Sequence, residues 1–191
     1  MCAQIVANWG GKTPYKHQAR VFDDFCNHCD EGMGTFTLVC SFGGGKSILL
    51  AACADAGLKH FGFEQILLCS PTTIIRDQLV DEFASLGIKL SASVNNRRLI
   101  RSRFDSECHG FSITYHQLAS FPDLFLGYCS QKKTFGGADE GHHLAENLSW
   151  GEAFRTALEP CPLKFIMTAT PCRSDNKFIP FVEYEEVVTN D

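Results

Sequence analysis

The sequence predicts an α/β protein, a parallel sheet flanked by helices in a single domain. Three observations carry the prediction. Short apolar runs rich in β-branched and aromatic residues recur at 35–40, 65–70, 111–115, 134–139 and 164–168. Between them lie stretches whose apolar positions repeat near helical spacing, and strand alternating with helix is the pattern of a parallel sheet with crossover helices. The first run passes through three consecutive glycines into a helix-compatible segment, TFTLVCSFGGGKSILLAACAD over residues 35–55. Ligands in such sheets sit beyond the carboxyl ends of the strands.

Taken in order, residues 1–13 lack periodicity and read as a loosely held lead-in. Residues 14–29 (PYKHQARVFDDFCNHC) place Val21, Phe22 and Phe25 near helical spacing, so an amphipathic helix is expected, ended by the DEGMG stretch at 30–34. Residues 35–40 are a buried strand and 47–56 (SILLAACADA) a helix, with 57–62 a connector. QILLCS at 65–70 is the next strand, stopped by Pro71, and 72–83 is a helix carrying Ile74, Ile75, Leu79, Val80 and Phe83. Residues 88–94 suggest a strand before an arginine cluster. FSITY at 111–115 is a clearer strand, followed by a helix over 117–128 broken near Pro122. TFGGAD at 134–139 must be a strand if the alternation holds, although Gly136 and Gly137 weaken it. A helix at 148–158 and the strand KFIMT at 164–168 close the pattern, and an acidic tail runs from 176 to 191.

Bulk properties narrow the function classes. At 191 residues the chain is one domain by length, with 45% hydrophobic and 20% charged residues, enough for a core without staples. It has no apolar run of the length that spans a bilayer, so no membrane partner is expected. The N-terminus, MCAQIVANWGGKTPYK, has no basic region followed by an apolar core, which points to an intracellular, cytoplasmic protein. Among ten cysteines, Cys40, Cys53, Cys69 and Cys129 sit in apolar runs as small reduced hydrophobes. Cys26 and Cys29 bracket His28 as the start of a zinc pattern, with Cys108-His109 as the only candidate completion. A net charge of -5 argues against a surface that binds nucleic acid all round. Arg97, Arg98, Arg101 and Arg103 nevertheless form a local basic cluster suited to phosphates.

The glycine loop is where the chemistry concentrates. Gly43, Gly44 and Gly45 let the backbone enter left-handed conformations and approach a ligand closely. Lys46 brings a mobile positive charge to the β- and γ-phosphates of a nucleotide, and the Ser47 hydroxyl is placed to ligate Mg²⁺. The helix beginning there adds unpaired N–H groups that favour an anion. Against G-x-x-x-x-G-K-[ST], Cys40 stands where the first glycine belongs. Such a loop needs a carboxylate partner for the metal and a group that orients the attacking water. Asp139 and Glu140, directly after a strand, supply the two.

With these residues in place, the chain from about Pro14 to about Arg173 resembles the first RecA-like domain of superfamily 2 helicases and translocases. The likeness is to the DEAH-type group that includes restriction-enzyme motor subunits. Tyr15 with His17 and Gln18 is similar to the family's upstream glutamine motif, which implies that Gln18 reads adenine. CSFGGGKS resembles motif I. Ser70-Pro71-Thr72-Thr73 with Gln78 resembles motif Ia, and Ile113-Thr114-Tyr115 with Leu118 the segment called Ib. The resemblance implies that both touch a nucleic-acid backbone, DNA or RNA. Asp139-Glu140-Gly141-His142 resembles motif II, with Gly141 in place of the usual alanine. Thr168-Ala169-Thr170-Pro171 resembles motif III, which implies that Thr168 and Thr170 couple hydrolysis to domain movement.

The resemblance also implies boundaries: a lead-in at 1–13, a RecA-like ATP-binding domain at 14–175 and a tail at 176–191. The family's second RecA-like domain, with its arginine finger, has no room after motif III. A nucleotide-binding chain that hydrolyses ATP slowly without a partner domain in cis or trans is therefore expected. The alternative is a non-catalytic nucleotide- and nucleic-acid-binding module, with Cys40 and the Gly136-Gly137 strand as signs of decay.

Overall fold

The computed structural model describes residues 5–40, 43–92, 108–146, 148–170 and 178–183. In chain order these form α1 (Lys16–Asp30), β1 (Gly34–Val39), α2 (Lys46–His60), β2 (Gln65–Ser70), α3 (Thr73–Ser85), β3 (Leu90–Ser91) and β4 (Gly110–Thr114). They continue with α4 (Tyr115–Ser120), α5 (Pro122–Gln131), β5 (Thr134–Ala138), α6 (His142–Glu146), α7 (Leu148–Leu158) and β6 (Leu163–Thr168). The strands make one sheet in the order β1-β6-β5-β2-β4-β3, and all its pairings are parallel.

Two apolar cores lie against the two faces of this sheet. Successive side chains of a strand point to opposite faces. Ile66 and Leu68 of β2 accordingly join a core with α1, α2 and α3, while Leu67 and Cys69 join a second with α4, α5 and α7. Phe165 and Met167 of β6 enter the first and Ile166 the second. Burial on both faces explains why these strands read as continuous apolar runs. The predicted parallel sheet with flanking helices is the observed one.

Several local expectations are corrected. Residues 57–62 are not simply a connector, because α2 runs on to His60. Gly57 lies inside the helix, where a Cβ would come within 3.0 Å of the Phe63 ring and 3.3 Å of the Phe135 ring. It is a place of close packing. Tyr115 opens α4 instead of ending β4. The lead-in is held: Ile5, Ala7 and Trp9 pack on the first core, Trp9 meets Phe22 at 6.0 Å, and Lys12 pairs with Glu82 at 2.6 Å. Near the other end, Ile179 is buried in the second core and Phe181 packs on Phe154.

The glycine-containing strand is fully buried. Cβ atoms at Gly136 and Gly137 would come within 2.7 Å of Leu158 Cδ2 and 2.6 Å of Leu68 Cδ2. Leucine side chains from α7 and β2 thus fill the space that larger residues would need. Gly136 and Gly137 fit the packing of β5.

Candidate nucleotide site

The sheet order decides what meets at the site. β6 lies between β1 and β5, so the loop after β1, the turn after β5 and the end of β6 converge at one carboxyl edge. Cys40 N–H donates to Thr168 O at 3.1 Å and Asp139 N–H to Cys69 O at 2.9 Å, which ties both exits to neighbouring strands.

In the glycine loop, Gly43 and Gly45 have φ of 80° and 69°, the left-handed region where a side chain is strained. Gly45 is also the residue before α2, and a Cβ there would collide with the Gln18 amide. Gln18 is buried. Its Nε2 donates to Gly45 O at 3.1 Å and its Oε1 accepts from Tyr15 N–H at 2.8 Å. His17 Nε2 lies 3.0 Å from Gly44 O. The start of α1 therefore holds the loop backbone directly, through two residues from the same upstream segment.

Lys46 and Glu140, 94 positions apart, meet across the site. Lys46 Nζ donates to Glu140 Oε1 at 2.7 Å, with side chains only 9% and 8% exposed. Glu140 Oε2 is buried without a hydrogen-bond partner and lies 3.6 Å from His142 Nδ1. Asp139 Oδ1 accepts from Glu140 N–H at 2.9 Å. Burial, then the Glu140 carboxylate, push the Asp139 carboxyl up to about 6, against the opposing pull of Lys46 and the Glu140 amide. Ser47 borders a cavity of about 390 Å³ shared with Gln78, Asp81, Glu82 and Ser85.

The other carboxyl-edge residues form a connected set. His142 Nδ1 lies 3.2 Å from Thr168 Oγ1, which accepts from Thr170 N–H at 3.1 Å and donates to Thr170 O at 3.2 Å. Glu140 itself has φ 51°, a left-handed conformation that costs a non-glycine residue roughly 1–3 kcal/mol and persists only where neighbours impose it. Gly141 follows with N–H donating to Met167 O at 2.8 Å. A Cβ at Gly141 would lie 2.7 Å from Ile166 Cγ2, so glycine matches the isoleucine of β6.

Two of the predicted nucleic-acid contacts also cap helices, and Tyr115 is withdrawn from the surface. Thr72 caps α3 by accepting from Ile75 N–H at 3.3 Å, and the buried Thr114 caps α4 by accepting from Gln117 N–H at 3.2 Å. Pro71 is half-buried at the exit of β2. Tyr115 is fully buried, and its hydroxyl donates to Asp139 O at 2.6 Å, which withdraws its side chain from any nucleic-acid surface. Sequence reasoning missed this bond, since nothing local to residue 115 signals a partner 24 positions away. Arg97 and Arg98 lie outside the described residues. Among the described residues, no cluster of three or more His, Cys, Asp or Glu suits a metal. Cys26 and Cys29 sit on α1, where burial raises their thiols to about 11 and about 12.

The family model described as "Type III restriction enzyme, res subunit" matches residues 11–173. The chain belongs to that family. Uncharacterised proteins of Mycobacterium tuberculosis and Mycobacterium leprae are 32% identical over 150 and 149 residues, covering 78% of this chain and 24% of theirs. The chain spans about a quarter of the length of these curated relatives. The Sulfolobus solfataricus SWI2/SNF2 ATPase core in complex with dsDNA superposes with TM-score 0.64 at 15% identity, covering 88% of this chain and 35% of that one. The UvsW helicase from bacteriophage T4 gives 0.59 at 18%, covering 91% and 58%. The six-stranded parallel sheet with flanking helices is the fold shared with these ATPase and helicase cores. No helix among the described residues is long and apolar enough to cross a membrane.

Proposed function

We propose that this chain is the ATP-binding half of an ATP-dependent helicase or translocase of the DEAH type, acting on DNA or RNA. The observation that carries the reading is the buried contact of Lys46 with Glu140 beside a left-handed glycine loop. This contact supports a pocket in which Lys46 binds phosphate and Glu140 accepts a proton.

The residues present fit Mg²⁺–ATP. The unpartnered Glu140 Oε2, the buried Asp139 carboxyl and the open φ of Gly43 and Gly45 are features a bound metal–nucleotide would use. The metal would be held by Ser47 and Asp139, and when bound it supplies charge neutralisation for the transferred phosphoryl group. Gly43, Gly44, Gly45 and Lys46 cradle phosphates at the start of α2. Gln18 faces the adenine edge and releases one of its backbone partners to do so. Once phosphates take the Lys46 ammonium, Glu140 is free to accept a proton from the attacking water. His142, Thr168 and Thr170 carry the change at Glu140 to the end of β6, the direction in which a partner domain is moved.

Pro71, Thr72 and Thr114, at the carboxyl ends of β2 and β4, together with Arg97 and Arg98, contact the phosphate backbone without reading bases. Efficient hydrolysis needs a second RecA-like domain, in a longer chain or a partner. An arginine finger from such a wall is worth ~10³ to 10⁵ in rate where it has been assessed. Calorimetry with Mg-ATP tests the assignment: Lys46→Ala should abolish binding, and an affinity equal to wild type would end it.

A further inference from the structure

Tyr115 belongs to a segment whose resemblance suggests contact with nucleic acid, yet its side chain is 0% exposed. Its ring packs 5.7 Å from Trp150 of α7, and its hydroxyl reaches across to the Asp139 carbonyl at 2.6 Å. Burial pushes the phenol far above its ordinary range, so it remains a proton donor throughout the working pH range.

The position of that acceptor matters. The Asp139 carbonyl belongs to the peptide joining Asp139 to Glu140, so its direction governs the ψ of Asp139 and the φ of Glu140. Glu140 has φ 51°, a conformation that its own side chain disfavours. The Glu140 N–H end of that peptide is held by Asp139 Oδ1 at 2.9 Å, and three bonds from other segments or to other strands hold the turn around it. Asp139 N–H donates to Cys69 O, Gly141 N–H donates to Met167 O, and Tyr115 supplies the only one of these that comes from a side chain. Without it, the carbonyl end of this peptide loses its side-chain donor, and only the Glu140 N–H end stays tied, to Asp139 Oδ1.

We propose that Tyr115 is a positioning residue for hydrolysis, its hydroxyl fixing the Asp139–Glu140 peptide so that Glu140 is held at the catalytic pocket. Tyr115 directly follows Thr114, the cap of α4. A displacement of the start of α4 therefore reaches the Asp139–Glu140 peptide through the Tyr115 hydroxyl. This rests on the nucleotide-site reading above.

The test is Tyr115→Phe, which keeps the ring against Trp150 and removes only the hydroxyl. Steady-state ATPase with and without DNA should show kcat lower by about ten-fold, because small displacements of a catalytic group are costly, while KM for ATP moves by less than about two-fold. A second reading needs no turnover. The Glu140 side-chain carboxyl signal in ¹³C NMR, assigned by its loss in Glu140→Gln, should shift in Tyr115→Phe. An unmoved signal, or a lowered melting temperature with kcat and the signal both as in wild type, overturns the proposal. Lys46→Ala is run alongside. If it still binds Mg-ATP, the nucleotide-site reading fails while the carboxyl signal still decides the role of Tyr115.

Discussion

Glu140→Gln should weaken the nucleotide-free protein and at the same time enlarge its response to ATP. The Lys46–Glu140 pair spans 2.7 Å with both side chains about nine-tenths buried. At an effective dielectric near 20, two unit charges at that separation attract by about 6 kcal/mol, much of which offsets the cost of removing both from water. Deleting one partner of a buried pair leaves the other charge uncompensated, at a cost of ~3–5 kcal/mol. Glutamine still offers an oxygen to the ammonium, and Asp139 also interacts with Lys46, so a loss of about 2–3 kcal/mol is expected here. For a domain of this size that lowers Tm by about 4–12 °C. Phosphates that arrive at Lys46 no longer compete with a carboxylate, so Mg-ATP should raise the variant's Tm by more than it raises wild type's. Thermal melts with and without Mg-ATP read both effects. A nucleotide-free variant as stable as wild type, or a smaller ATP shift in the variant, would refute the competition between Glu140 and phosphate for Lys46.

Two further outcomes follow from particular contacts. Gly136→Ala puts a methyl 2.7 Å from Leu158 Cδ2 and 3.4 Å from Cys161 Sγ, so overpacking should cost about 1–3 kcal/mol in urea denaturation. The cost should shrink in a Leu158→Ala background, and strictly additive losses would mean that Leu158 does not fill the place of the missing side chain. If Arg97 and Arg98 contact phosphates, replacing both with Ala should make log K for duplex DNA less dependent on log salt by about 1.8 in slope, and an unaltered slope removes them from the interface.

What the chain discloses before folding depends on whether a residue's meaning is local. QILLCS carries apolar groups at both parities, and a strand buried on both faces is nearly the only place such a run fits, so β2 was legible to the residue. Lys46 and Glu140 were legible for a different reason: a buried charge needs an opposite charge or a ligand, and the loop and the turn each announce one half of that need. Glycines 57, 136 and 137 misled because their reasons lie elsewhere in the chain, in Phe63, Leu158 and Leu68. Judged beside its sequence neighbours, a glycine inside a strand or helix is a weakness. Judged beside the side chain that occupies its missing Cβ, it is a fit, and Gly141 against Ile166 is the same case at the turn after β5. Tyr115 was misread by the same route, because a tyrosine at a strand exit is equally suited to a wet surface or to a core with one polar partner. Trp150 and the Asp139 carbonyl decide between them. Both come from segments that the sheet order brings to the end of β4. The pocket's charged groups can therefore be read from motifs, whereas the groups that aim them emerge only from the order in which the strands are laid down.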